Sequence, residues 1–129
     1  MELRDRDELT DLAARLGRWL DGKHFDDPRA VFTEDAEVTT PGGTSKGAGA
    51  LAAQARRNHA VPTQHFITGP LIEIDGDRAE IGADLLVVFA HEGGPRVVGE
   101  RYDLRAARTP DGWRIAGVRS TVVWELPAA

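Results

Sequence analysis

Cysteine is absent from this sequence of 129 residues. Its absence excludes disulfide bonds, thiolate metal sites and a cysteine nucleophile. Long apolar runs are also missing, since none reaches the length of a signal-peptide core or a membrane span, and the N-terminal segment carries Asp5, Asp7, Glu8 and Asp11. We therefore expect a cytoplasmic protein with no membrane partner.

The sequence also lacks an excess of basic residues. It has 16 Lys and Arg against 21 Asp and Glu, which gives a formal net charge of −5 at pH 7. Proteins that bind a phosphate backbone need a dense basic face, because much of their affinity comes from the release of counterions. The charge balance therefore argues against a nucleic-acid partner.

Motifs for a metal, a nucleotide or a serine nucleophile are missing as well. "HFDD" at 24–27 has ligand-type residues, but adjacent positions cannot converge on one ion as residues four apart on a helix can. "GGTSKGAG" lacks the spacing of a phosphate-binding P-loop, and Ser45 and Ser120 lie outside any nucleophile elbow. We expect no metal site, no bound nucleotide and no acyl-enzyme chemistry.

The first half of the chain has mainly helical periodicity. Over 5–21, apolar residues recur every three or four positions, which predicts an amphipathic helix. A short second helix is predicted in "DDPRAVFTEDA", where Asp27 can cap and Pro28 fits the first helical position. A strand "EVTTP", a flexible segment "GGTSKGAGA" and a third helix at about 49–58 follow.

The second half of the chain alternates between apolar and polar residues. The alternation predicts strands at 63–74, 79–91, 96–108 and 112–125, separated by the turn sequences "DGD", "EGGP" and "TPDG". Helices followed by strands are typical of the α+β class, in which helices cover one face of a curved antiparallel sheet. A chain of this length forms one domain, 1–129, with a core large enough to hold a cavity.

Three ionisable residues lie at strand positions where burial is expected or ambiguous. His65 lies in "VPTQHFITGP", and Asp84 shares a face with Leu86 and Val88. Asp103 shares a face with Arg101 and Arg105, which leaves its burial ambiguous. A buried ionisable group needs a partner or a function. Each is either a hydrogen-bonded structural residue or part of a pocket, and spacing alone leaves both interpretations open.

Three stretches give the chain a resemblance to a known family: "LDGKHFDDPRAVFTEDAEV", "PTQHFITG" and "DGWRIAGVRSTVVWE". Over about residues 5–126 it resembles the SnoaL-like proteins, and among them the scytalone dehydratase branch. The resemblance implies the cone-shaped α+β fold of nuclear transport factor 2. It also implies that Asp21, at the end of the first helix, pairs with His65 inside the cone and that both are catalytic.

The sequence departs from that branch at several site positions. Tyrosines of the branch fall at Leu20 and near Thr40, its second histidine falls at Ala90, and its asparagine falls at Asp103. The substrate should therefore differ, and dehydration, isomerisation and cyclisation all stay open. The alternatives are a non-catalytic binding or assembly module of the same fold and an epoxide hydrolase with a water held between Asp84 and Asp103.

The pair implied by the resemblance suggests acid/base chemistry without a cofactor. With its tautomer fixed by Asp21, His65 would take and return a proton through an enolate, whose oxygen needs a donor. The candidate donors are Tyr102, Arg101 and Arg119. The expected substrate is a mainly apolar, oxygenated ring compound, because most of the expected pocket residues are apolar. Those residues are Leu16, Phe32, Phe66, Leu86 and Val88, with Asp84, Asp103 and Tyr102.

The resemblance also implies a self-associating protein. Members of this family usually associate through the sheet face that lies away from the helices. We therefore expect a homodimer or another homo-oligomer.

Overall fold

The computed structural model describes residues 2–128 as two α-helices, one short 3-10 turn and six strands. In chain order these are α1 (Glu2–Asp21), the 3-10 turn (Pro28–Ala30), β1 (Phe32–Thr40), β2 (Gly43–Lys46), α2 (Ala48–Asn58), β3 (Thr63–Asp75), β4 (Arg78–His91), β5 (Gly94–Thr109) and β6 (Gly112–Leu126). No helix in this part of the chain is both long enough and apolar enough to cross a membrane.

The six strands form one curved, unclosed sheet in the order β2-β1-β6-β5-β4-β3. The predicted α+β class, with helices packed on a curved sheet, is confirmed. The strands of the second half, β3 to β6, pair antiparallel as predicted. The sheet as a whole is mixed, because β1 pairs with β6 in parallel. The two strands belong to opposite ends of the chain and are joined by the rest of the sheet, so no hairpin forces them to be antiparallel.

The predicted second helix is wrong. Only Pro28–Ala30 forms a 3-10 turn, and the chain is already extended at Phe32. The backbone N–H of Ile115 donates to the carbonyl of Val31 at 2.8 Å, which starts the pairing of this segment with β6. The β-branched residues that follow Phe32 favour a strand, and this pairing overrides the helical signal of the Asp-Pro start.

The glycine-rich segment predicted to be flexible is ordered as β2 and the start of α2. Gly43 has a φ of 135°, a conformation that glycine adopts readily at the β1–β2 turn. The side chain of Gln54 fastens the hairpin to α2: its amide donates to the carbonyl of Gly43 and to the hydroxyl of Thr40, both at 3.2 Å. The hydroxyl of Ser45 donates to the Gln54 amide oxygen.

The core lies between the two helices and the inner face of the sheet. Fully buried side chains from α1 pack with those from β4, β5 and β6, and each contributes about 1.5–3 kcal/mol on burial. The largest of them are Leu9, Leu12, Ile81, Leu104, Ile115, Val87 and Val98.

Gly17 allows α1 to approach β3 closely. A Cβ at this position would lie 3.3 Å from Ile67 Cδ1, closer than most Cβ contacts in proteins, and 3.5 Å from His65 Cβ, an ordinary van der Waals distance. The approach places Asp21, one helical turn further along α1, against the start of β3.

Candidate functional site

The carboxylate of Asp21 is held against β3 by three hydrogen bonds. Its Oδ2 accepts the backbone N–H of His65 at 2.7 Å. Its Oδ1 accepts the hydroxyl of Thr63 at 3.0 Å and the Nδ1–H of His65 at 2.6 Å. The structure therefore brings together the two residues that the sequence predicts as a pair, with the carboxylate oriented by backbone as well as by side chain.

The imidazole of His65 has one nitrogen committed and one free. A carboxylate oxygen can only accept, so Nδ1 carries the hydrogen and Nε2 has a lone pair when the ring is neutral. Only 2% of the side chain is exposed. Nε2 has no hydrogen-bond partner among residues 2–128. Every fully buried side-chain nitrogen or oxygen in this range does have a partner. Nε2 is therefore not fully buried, and His65 lines an open cavity as well as a groove between α1 and β3 that also contains Asp21.

Burial sets the protonation state of His65. It lowers the pKa of the imidazole below its ordinary value of 6.5, and the hydrogen bond and charge of Asp21 oppose this effect without cancelling it. The ring is therefore mainly neutral at pH 7, which is the form that a proton acceptor needs.

A cavity with an inner and an outer part, which share part of their lining, lies beside this pair. The inner part is small, about 60 Å³, and mainly apolar, whereas the outer part is about 310 Å³ and open to solvent. His65 lines the outer part. Five residues line both parts, namely Thr40, Asn58, His59, Tyr102 and Ser120. The outer part is within the size range of small-molecule sites.

Three of the predicted lining residues lie at this cavity. Leu16 and Phe32 line its inner part, and Tyr102 lines both parts. Burial raises the pKa of the Tyr102 phenol well above its ordinary value, so the hydroxyl keeps its hydrogen and can donate it. Of the three predicted donors, Tyr102 is the one inside, because Arg101 and Arg119 are exposed on the outer face of the sheet.

The other predicted lining residues are on the wrong face of the sheet. Phe66, Leu86 and Val88 point outward, and Phe66 is 42% exposed. In the apolar run of β4 the buried residues are Leu85 and Val87, in phase with the buried Ala79, Ile81 and Ala83. The prediction took the opposite phase of the strand, because the run "LLVV" is apolar on both faces and alternation cannot decide between them.

Asp84 and Asp103 are corrected in the same way. The Asp84 side chain is 73% exposed and lies 3.6 Å from Arg101. Asp103 is exposed opposite Arg119 on the neighbouring strand. Both belong to cross-strand pairs of opposite charge, which stabilise a solvated sheet face. Neither borders the cavity beside His65, so the pair of carboxylates expected for epoxide hydrolysis is not formed there.

A larger open groove, about 640 Å³, lies on the outer face of the sheet. Asp103 is one of its lining residues. Its other charged lining residues are Glu37, Glu73, Glu80, Arg105 and Arg119. Glu80 faces Arg105 across β4 and β5, as Asp103 faces Arg119 across β5 and β6. We place the site at the smaller cavity, because that one contains the oriented imidazole.

Sequence reasoning missed His59, which lies directly after α2 and lines both parts of the cavity. Its Nδ1–H donates to the carbonyl of Ala55 at 2.8 Å, and its ring centroid is 5.2 Å from that of His65. Burial lowers the pKa of His59 to about 4. No periodicity identifies this residue, since its place is set by contacts with Lys23, whose Nζ donates to the carbonyls of His59 and Val61 at 2.6 and 2.7 Å.

Glu100 was missed as well. It lines the outer part of the cavity, and burial raises the pKa of its carboxyl, with Ser120 and Arg96 opposing. Glu100 shares the inner face of β5 with Val98, Tyr102 and Leu104, so alternation from these apolar positions could have identified it. The register shift between Gly99 and Glu100 belongs to β6, where Val123 is the extra residue, and β5 stays in register with β4.

The described residues offer no obvious metal site. Across 2–128 no three His, Asp or Glu side chains are grouped so that they could hold one ion. Two imidazoles, a phenol, a carboxyl group and hydroxyls are instead arranged around an apolar floor. This set can move protons and bind an oxygenated organic molecule.

Comparison with solved structures gives the fold a name. A protein of Kribbella flavida is 29% identical, with a TM-score of 0.90 over 98% of this chain and 96% of that one. A Novosphingobium aromaticivorans protein assigned as a scytalone dehydratase is 16% identical, with a TM-score of 0.88 over 99% and 90%. The hexachlorocyclohexane dehydrochlorinase LinA-type3 of Novosphingobium barchaimii is 21% identical, with a TM-score of 0.84 over 99% and 92%.

The family is defined by the sequence itself. No curated protein matches the chain. The model of the SnoaL-like domain, however, matches residues 1–119, which is most of the chain. The fold of nuclear transport factor 2-like proteins, predicted from the resemblance, is confirmed. The chain belongs to the SnoaL-like domain family.

Proposed function

We propose that this protein is a cofactor-independent lyase, isomerase or cyclase that forms an enolate from an apolar, oxygenated ring ketone. One observation supports this most strongly: the imidazole of His65 is oriented by Asp21 through a 2.6 Å hydrogen bond and is buried at the edge of a cavity. A histidine that only filled the core would not need a free nitrogen next to open space.

His65 acts as the proton acceptor in this mechanism. The lone pair of Nε2 takes the hydrogen from the carbon next to the substrate carbonyl, and the electrons of the C–H bond pass to the carbonyl oxygen. The imidazolium that forms is stabilised by the Asp21 carboxylate at Nδ1. Return of that proton to another atom completes an isomerisation, a cyclisation or the loss of a hydroxyl group as water.

Tyr102 is the residue best placed to stabilise the enolate oxygen. Its hydroxyl borders the same cavity as His65 and, because burial raises its pKa, it stays protonated when negative charge develops nearby. A donor in a site with little water stabilises such a charge more than the same donor would in bulk solvent. The apolar floor formed by Leu16 and Phe32 favours a ring compound over a small polar one.

Two proteins of the same fold support elimination chemistry. One is assigned as a dehydratase and the other is a dehydrochlorinase. At identities of 16% and 21%, these two proteins share the fold with this chain, and their reactions are not transferred to it by similarity alone. The assignment of a lyase-type reaction to this chain therefore depends on the pair of His65 and Asp21. A purely binding function is the alternative that the activity measurement tests.

The test is exchange of hydrogen for deuterium next to a carbonyl. Wild-type protein is incubated in deuterated buffer with a panel of cyclic ketones, including 1-tetralone, and incorporation is followed by mass spectrometry. Enolate formation predicts exchange above the buffer rate. His65→Gln should lose about 10²–10⁴-fold of it, whereas His24→Gln, which changes an exposed histidine, should not. Equal exchange by wild type and His65→Gln on every ketone would refute the proposal.

A further inference from the structure

His59 presents a hydrogen-bond acceptor to the cavity. Its Nδ1–H donates to the carbonyl of Ala55, and a carbonyl can only accept, so the tautomer is fixed and Nε2 keeps its lone pair. Nε2 has no hydrogen-bond partner among residues 2–128. Since every fully buried polar side-chain atom in this range has a partner, Nε2 is not fully buried. Nε2 is therefore open to the cavity that the ring lines.

The ring of His59 is held more firmly than a surface histidine. Lys23, which has a positive φ of 58°, holds the backbone at His59 and just after it through the carbonyls of His59 and Val61. Aromatic rings flank the imidazole, with centroids of Phe25 at 6.4 Å and Phe89 at 6.0 Å. An acceptor fixed in this way is ready to bind a ligand without first becoming ordered, which favours affinity and selectivity.

The two imidazoles give the cavity two neighbouring hydrogen-bond acceptors. His65 and His59 each use Nδ1 within the protein, and their ring centroids are 5.2 Å apart. His65 Nε2 is needed for the proton in the proposed reaction. His59 Nε2 remains as a second acceptor beside it, and a ligand without a donor at that point would leave it desolvated and unpaired.

We propose that His59 is a specificity-determining residue that accepts a hydrogen bond from a substrate hydroxyl, so that the natural substrate is a hydroxylated ketone with this hydroxyl close to the acidic C–H. This inference rests on the proposed function for the role of His65. The lowered pKa of His59, about 4, agrees with it, because the ring stays a neutral acceptor at pH 7. Such a group accepts a hydrogen bond from the hydroxyl and does not protonate it.

The test measures binding of three ligands of one shape. These are 4-hydroxy-1-tetralone, 4-methoxy-1-tetralone, which lacks the hydrogen, and 1-tetralone, which lacks the oxygen. Wild-type protein should bind the hydroxy ketone about tenfold more tightly than either analogue, as expected for one hydrogen bond in a partly dry site. If the wild-type protein does not bind the hydroxy ketone more tightly than both analogues, the inference is wrong, whatever the results for the variants.

The variant His59→Phe isolates the acceptor. Phenylalanine keeps a ring between Phe25 and Phe89 and removes Nε2, so the tenfold preference should fall to about one. The ¹⁵N signal of His59 Nε2 in wild type should shift with the hydroxy ketone and not with the methoxy ketone. A preference that persists in His59→Phe, or an Nε2 signal that ignores the hydroxyl, contradicts the inference.

Exchange of 1-tetralone into deuterated buffer separates this inference from the proposed function. That ketone has no hydroxyl, so its exchange by the wild-type protein depends on His65 and not on a hydrogen bond from a hydroxyl to His59. Exchange without a hydroxyl preference would defeat the role of His59 alone. A hydroxyl preference without exchange would defeat the proposed enolate chemistry alone.

Discussion

Helix α1 carries two buried or half-buried carboxylates, and they do different things. Near its start, Asp5 accepts two hydrogen bonds from Arg108, both at 2.9 Å, and one from the indole of Trp113 at 3.1 Å. At its end, Asp21 accepts hydrogen bonds from Thr63 and His65. Both carboxylates join α1 to the sheet, but only the partner of Asp21 has a free atom in a cavity.

The two carboxylates differ in whether their partner keeps a nitrogen that is free to react. The guanidinium of Arg108 also donates to Asp77, and its Cζ lies 4.5 Å from the centroid of the Trp113 ring, so its groups are used within the protein. The imidazole of His65 gives one nitrogen to Asp21 and keeps the other. A buried carboxylate is therefore a sign of function when its partner can still react, and a sign of structure when its partner cannot.

The largest expected effect is on activity, through Asp21→Asn. The amide can no longer stabilise an imidazolium or require hydrogen on Nδ1, so the exchange rate should fall about 10²–10³-fold. Asp21 raises the pKa of His65 against the effect of burial, and its loss should move the acid limb of the pH–rate profile to lower pH. An unchanged acid limb would mean that Asp21 does not act through the imidazole.

Asp5→Asn is the matched control, with the opposite expected result. The hydrogen bonds of Arg108 and Trp113 hold the pKa of Asp5 well below its ordinary value of 3.8. The charged form stabilises the folded state at neutral pH, and this stability is lost as pH falls below that value toward the lowered pKa. The variant should melt several degrees lower at pH 7 yet exchange 1-tetralone at the wild-type rate at 20 °C, well below melting. Loss of activity with full stability would remove the contrast between the two carboxylates.

His59 should govern stability in a separate pH range. Its pKa is about 4 in the folded protein and 6.5 ordinarily, so the unfolded chain binds the proton more tightly. Stability is then complete above pH 6.5 and decreases as pH falls toward 4, by roughly 3 kcal/mol at 1.36 kcal/mol per pH unit. Urea titrations at pH 7 and pH 4.5 should show a smaller decrease for His59→Phe than for wild type. His24→Gln should leave the decrease unchanged.

Most of the fold could be predicted because its signals are local. Patterns among neighbouring residues predict the amphipathic helix α1 and the turns between β3, β4, β5 and β6. Prediction failed between residues 27 and 50, where short segments acquire their structure from distant partners. The extended start of β1 depends on Ile115, and the order of β2 depends on Gln54.

The site was predictable only where a resemblance supplied it. Asp21 and His65 are 44 positions apart, and no spacing rule joins them. The apolar residues of β4 were assigned to the wrong face, because alternation cannot give the phase of a strand that is apolar on both sides. His59 was missed because contacts with other residues define its role. Ala55 accepts its Nδ1–H and leaves Nε2 as the acceptor, and Lys23 binds its backbone carbonyl.

The smallest expected effect is that of Asp84→Asn. Asp84 has the strand position and charge that sequence reasoning favoured, yet it is exposed and paired only with Arg101 at 3.6 Å. An exposed ion pair of this kind contributes about 0–1 kcal/mol, so the free energy of unfolding should barely change. Exchange of 1-tetralone should match wild type, because the side chain is on the face opposite His65. A tenfold loss of activity in this variant would mean that the chemistry takes place on the outer face, and it would transfer the functional role from the Asp21 end of α1 to the charged surface of the sheet.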